Sequence, residues 1–162
     1  MSEKTAPAQA YALSSVLILF GGGQLIVPNN AVAEVLPYAP SLSLENAPSW
    51  IVGTILWQAD PIPLVSLDNL LLNSESEGLL YRRIIVLNML TQHPRLRYFG
   101  LLSTDAPQRV LLQRNDLANV DAPGVPPVGV LSYATLKERQ IIIPDLDALE
   151  AELIQAVRRI VR

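Results

Sequence analysis

Residues 13–38 read LSSVLILFGGGQLIVPNNAVAEVLPY. Three short apolar runs, Leu13–Phe20, Gln24–Val27 and Val32–Tyr38, are cut apart by Gly21-Gly22-Gly23 and by Pro28-Asn29-Asn30. Runs of this length, rich in aliphatic and β-branched residues and bounded by Gly, Pro and Asn, read as strands. The triple glycine joins the first two as a hairpin, since glycine reaches the positive φ angles of a tight connection at no steric cost. It does not read as a phosphate cradle. No Lys-Ser/Thr pair follows it, and Gln24-Leu25-Ile26-Val27 continues as a strand instead of opening a helix.

The same rhythm runs on through Ile51–Gln58, Ile62–Val65, Arg83–Leu90, Leu96–Leu102, Arg109–Leu112, Val128–Tyr133 and Gln140–Ile143. About ten strands at roughly ten-residue spacing predict an all-β sandwich or barrel. Asp60-Pro61, with Pro63 beside it, makes a second tight connection and confines its strand to positions where a missing N–H is tolerated. Only the C-terminus has clear helical spacing. Leu146, Leu149, Leu153, Val157 and Ile160 form a stripe behind Asp145 or Asp147 as cap, with Arg158, Arg159 and Arg162 near the negative end of the dipole. A helix is expected over 145–161, its stripe packed on the chain's own strands. A shorter one, Ser66 to Leu72, opens on a serine that can serve as N-cap. Polar, acidic Asn73–Gly78 is the expected boundary between two lobes, and Asp121–Pro127 is a Pro-rich loop.

A chain of 162 residues is enough to bury roughly 70% of the surface its unfolded form exposes. No cysteine is present, so disulfides and thiolate metal sites are excluded and a reducing, cytoplasmic setting is expected. Met1–Ala10 lacks the cationic start and apolar core of a secretion signal, and Val16–Phe20 is far short of the ~20 apolar residues of a membrane span. Between Lys4 and Arg82 there is no Lys or Arg, while ten Arg and Lys137 follow from Arg82 onward. That asymmetry suits docking between charged surfaces, or simply reflects few surface positions.

Catalytic chemistry finds little to work with. The single histidine, His93, sits in the turn sequence Gln92-His93-Pro94, which gives no rigid scaffold for a nucleophile–base pair. One histidine and no cysteine leave only carboxylates for a metal, and no Asp-x-Asp-x-Asp-Gly loop occurs. No metal and no cofactor are expected. A carboxylate hydrolase built on Glu34 has no positive support. Arg82-Arg83 and Arg95-Leu96-Arg97-Tyr98-Phe99 gesture at nucleic-acid binding, but a pI near 5.1 and a cation-free first half oppose it.

Four stretches in order, Leu25-Ile26-Val27-Pro28, Val32-Ala33-Glu34-Val35, Pro48-Ser49-Trp50-Ile51-Val52-Gly53 and Ile62-Pro63-Leu64-Val65-Ser66-Leu67, resemble the CheW-like adaptors of bacterial chemosensory arrays. Arg83-Ile84-Ile85-Val86-Leu87, Phe99-Gly100-Leu101-Leu102 and Gln140–Leu146 agree more loosely. Pro28 through Pro37-Tyr38 and the pair Trp57-Gln58 look most like the ChpC-type adaptors of pilus-linked, twitching-motility systems.

The resemblance implies two five-stranded β-barrels packed side by side with a C-terminal α-helix. A single domain is then expected over 13–162 after a flexible N-terminus at 1–12, with lobes at roughly 13–78 and 82–143. It implies a non-enzymatic scaffold that couples a methyl-accepting receptor's cytoplasmic tip to the regulatory domain of a CheA-type histidine kinase, without spanning the membrane. The alternative is an accessory adaptor that binds receptor or kinase without coupling them. Val32, Glu34 and Gly53 fall where the family places partner contacts. Trp57 and Trp50 are apolar anchors, for a partner or for the core. The family's usual Arg-Gly is Gln58-Ala59 here, so the expected arginine partner of Glu34 is missing, and the usual aspartate is Ser66.

Overall fold

The computed structural model describes residues 12–72, 80–122 and 124–160. The first two runs form β1 (Leu13–Phe20) and β2 (Gly23–Pro28), an antiparallel hairpin closed by Phe20 opposite Gly23. A 3-10 turn at Asn29–Ala31 leads into β3 (Val32–Pro37), followed by β4 (Ile51–Trp57), β5 (Asp60–Val65) and α1 (Leu67–Leu72). Then come β6 (Arg83–Asn88), β7 (Tyr98–Ser103), β8 (Gln108–Leu112), β9 (Leu117–Val120), β10 (Val130–Leu136), β11 (Arg139–Pro144) and α2 (Leu146–Ile160).

Hydrogen bonding sorts these strands into a six-stranded sheet, β8-β1-β2-β11-β10-β9, and a five-stranded sheet, β3-β6-β7-β5-β4. Alternation explains how each sheet is buried on both faces. In β6, Ile84 and Val86 face a cluster with Trp57, Ile62, Leu64 and Leu102, while Ile85 and Leu87 face the other way. In β1, Leu17 joins a cluster with Ile26, Leu112, Ala134, Leu136 and Ile141, while Val16, Ile18 and Phe20 point oppositely. The second sets from both sheets meet in one shared core with Leu149, Leu153 and Ala156 of α2. Each sheet thus curls around its own interior and the two pack back to back, with α2 against the seam. Continuous apolar runs such as Ile84-Ile85-Val86-Leu87 are what such doubly buried strands require.

The all-β architecture with a C-terminal helix is as expected, but one lobe has six strands, the extra one being β9. The lobes also do not divide at residue 78. The five-stranded sheet takes every strand from Val32 to Ser103, and the six-stranded one is assembled from β1 and β2 plus β8 to β11. Its hydrogen bonding forces this: β6 and β7 occupy the middle of the five-stranded sheet, with β3 and β4 at its edges. The proposed boundary segment Asn73–Gly78 and the N-terminus at 1–11 lie outside the described residues.

Both helix caps form as the sequence predicts. The Asn69 amide donates to Ser66 Oγ at 3.2 Å and the Ala148 amide to Asp145 Oδ1 at 3.1 Å. The glycines have a different reason to be present. Gly22 is not in the left-handed region; its missing Cβ leaves room for the Leu72 side chain. Besides Asn46, Gly124 and Gly129, left-handed φ values occur in two adjacent pairs of non-glycine residues, Gln58 (50°) with Ala59 (69°) and Lys137 (48°) with Glu138 (68°). Each pair closes a two-residue hairpin of the type that normally uses Asn-Gly, so two L-residues per turn carry left-handed strain. Ala59→Gly is therefore expected to stabilise the protein by about 0.5–1 kcal/mol, the relief of strain exceeding the added chain entropy. A raised urea midpoint checks this, and an unchanged or lower one contradicts it.

Candidate functional site

Glu34 and Trp57 stand on β3 and β4, opposite edges of the five-stranded sheet, yet the indole Nε1–H of Trp57 donates to Glu34 Oε2. This is possible only because the sheet curls until its edges meet. Glu34 lies two residues before Leu36, which turns inward to the cluster around Trp57. A register shift between Val32 and Glu34 separates Val32 from that face and leaves it against the shared core. The Trp57 ring is 8% exposed and meets Tyr98 edge-on, with centroids 4.6 Å apart. The side-chain hydrogen bond therefore fastens the β3–β4 seam of this barrel, while the aromatic contact holds the Trp57 ring against β7.

The missing arginine partner of Glu34 is thus replaced by a neutral donor from the residue just before Gln58. The accepting residue, Glu34, is itself surface-exposed. Gln58 itself is exposed at the strained turn, beside Leu56, which is 74% exposed. Trp50 is half-buried against the shared core, and its carbonyl accepts from the Ser66 amide at 2.8 Å. So Glu34, Trp57 and Gln58 are brought together, with Val32 on the same strand as Glu34, while Trp50 packs on the core side.

Gly53 is placed differently. It is buried beneath the Ser41–Leu42 segment, whose Leu42 pairs with Thr54 through two backbone hydrogen bonds of 2.9 Å. A Cβ on Gly53 meets the Leu42 carbonyl oxygen, and Ser41 Oγ at 2.6 Å. Its place in the fold is a close backbone approach, not an open contact surface. Gly53→Ala is expected to cost about 2 kcal/mol by displacing that segment, seen as a lower melting temperature. An unchanged melt with weakened partner binding would restore the contact role.

A second cluster escaped the sequence reading. Asp68, 2% exposed at the start of α1, accepts from the Gly21 amide at 3.0 Å and the Gly22 amide at 2.8 Å. The Tyr81 hydroxyl donates to its Oδ2 at 3.0 Å, and Ser66 Oγ lies 3.2 Å from the Tyr81 oxygen. The glycine turn is a cradle after all, but for a carboxylate of the chain itself. Nothing in the sequence marked Asp68, since it is 46 residues from Gly22. Among the described residues, no three His, Asp or Glu side chains group as a metal would require, and no helix is long and apolar enough to cross a membrane.

Comparison with known proteins matches this architecture. The crystal structure of the scaffolding protein TtCheW from Thermoanaerobacter tengcongensis superposes with a TM-score of 0.69, covering 86% of this chain and 88% of that one at 18% identity. A search of curated proteins finds no match. The CheW-like domain model matches residues 14–153, from the second residue of β1 through the middle of α2. On that match across most of its length, together with the two-sheet fold, the chain belongs to the CheW-like domain family.

Proposed function

We propose that this protein is a non-enzymatic chemosensory adaptor coupling a methyl-accepting receptor's cytoplasmic tip to the regulatory domain of a CheA-type histidine kinase. The family match over residues 14–153 carries the reading. The latched barrel edge supports it by offering a surface with Val32, Glu34, Leu56 and Gln58 near a rigid Trp57. In this reading Trp57 acts as the anchor that fixes the edge, Glu34 supplies charge, and Gly53 positions the overlying segment. The protein works in the cytoplasm, recruited to receptor arrays. We place it in a pilus-linked, twitching-motility system on the likeness of Pro28 through Pro37-Tyr38 and Trp57-Gln58.

One observation favours a second reading. Glu34 is engaged by Trp57, and the neighbouring turn carries no arginine, so a charged contact expected of coupling adaptors is lacking. An accessory adaptor that binds receptor or kinase without coupling them fits that change. Pull-downs with the kinase's regulatory domain and with a receptor tip, followed by titration of kinase activity, separate the two. Binding to both with receptor-dependent kinase activity supports coupling, and binding to one alone supports the accessory role. Binding to neither overturns both.

A further inference from the structure

A groove of about 640 Å³ runs between α2, the segment around Leu96 and the outer side of the β4–β5 hairpin. Leu44, Leu96, Ile154 and Val157 contribute apolar surface to it, with Arg95 and Arg158 exposed at its rim. None of Val32, Glu34, Trp57 or Gln58 lines it, so it stands apart from the receptor–kinase reading.

Three features indicate what it accepts. No carboxylate is among its lining residues, and neither guanidinium has a hydrogen-bond or ion-pair partner among the described residues. On a chain of net charge −3 that lacks Lys and Arg between residues 4 and 82, this is a local reversal of sign. At Thr54, the β4 residue that lines the groove, the sheet edge is already taken, because Leu42 holds both of its backbone bonds, and an extended peptide cannot pair there. Finally, Ile154, Val157 and Ile160 recur at three-residue spacing; they pack on the shared core with one side and, being only half-buried, leave the rest of their apolar surface along the groove.

We propose that this groove docks an amphipathic helix of a partner protein, its apolar stripe on Ile154 and Val157 and its flanking carboxylates paired with Arg95 and Arg158. Arginine forks suit bidentate recognition of such carboxylates.

The test uses the full chain and two labelled synthetic peptides with leucine at i, i+3, i+4 and i+7, one flanked by glutamates and one by lysines. Fluorescence anisotropy is expected to show the glutamate peptide binding about 10-fold or more tighter than the lysine peptide. In the double variant Arg95→Glu/Arg158→Glu, folded by circular dichroism, the preference should reverse. Val157→Ala should weaken the glutamate peptide in a variant that circular dichroism shows to be folded, and unchanged affinity in that folded variant counts against the proposal. Equal affinity for both peptides, no binding of the glutamate peptide at ~100 µM, or binding indifferent to the double variant overturns the proposal. So does sedimentation showing a dimer that the double variant abolishes, since the occupant is then a second copy. Receptor and kinase pull-downs with the double variant should match wild type, so failure here leaves the coupling reading standing.

Discussion

Asp68→Ala is expected to destabilise the protein by about 3 kcal/mol, a large share of the 5–15 kcal/mol that holds a domain together. The substitution removes the acceptor of three hydrogen bonds at once, from the amides of Gly21 and Gly22 and from the Tyr81 hydroxyl. Bonds to a charged acceptor are each worth about 1.5–3 kcal/mol, and the partial exposure of the two glycines lets water recover some of that loss. The melting temperature should fall by roughly 10 °C at this chain length. Asp68→Asn should cost less, because one oxygen remains to accept while the new amide faces a donor. Equal losses for alanine and asparagine would mean that charge, not acceptor count, holds the β1–β2 turn to α1. A loss below about 1 kcal/mol for alanine would show that the turn stands without the carboxylate.

Trp57→Ala is expected to cost about 4 kcal/mol, the range of a large buried aromatic replaced by a methyl group. It empties the contact with Tyr98 and leaves Glu34 without its indole donor. Trp57→Phe keeps an aromatic ring against Tyr98 but removes the N–H, so its cost should fall to about 1–2 kcal/mol. Urea unfolding followed by far-ultraviolet circular dichroism measures both without relying on tryptophan emission. If the phenylalanine variant is as unstable as alanine, the hydrogen bond across the seam dominates. If it matches wild type, ring packing alone closes the barrel.

What was legible in the sequence was local. Ile84-Ile85-Val86-Leu87 reads as a strand because both its faces are buried. The helix stripe from Leu146 to Ile160 reads correctly because 3.6-residue periodicity survives over four turns. β9 was missed, since Leu117-Ala118-Asn119-Val120 carries two weak strand formers at its exposed centre. The site was only partly legible. Glu34, Trp57 and Gln58 were singled out, but a bond between residues 23 apart on opposite sheet edges is a consequence of curvature, which no spacing encodes. The tie between Asp68 and the glycine turn was hidden for the same reason, and the turn's glycines were given a φ-angle role that the Gln58-Ala59 and Lys137-Glu138 turns bear instead.

The nesting of the five-stranded sheet between β2 and β8 sets an order of events during synthesis. Every strand of that sheet is made by Ser103, so it is free to close while the ribosome is still adding the rest. The β1–β2 hairpin is made first but must wait, because its neighbour β8 emerges only after the five-stranded sheet is complete and its other neighbour, β11, is the last strand of all. Until then Leu17 and Ile26 have no interior to enter. The first hairpin is therefore left with unpaired strand edges in the nascent chain until the pairing of β2 with β11, the contact of greatest sequence separation between strands, closes the six-stranded sheet.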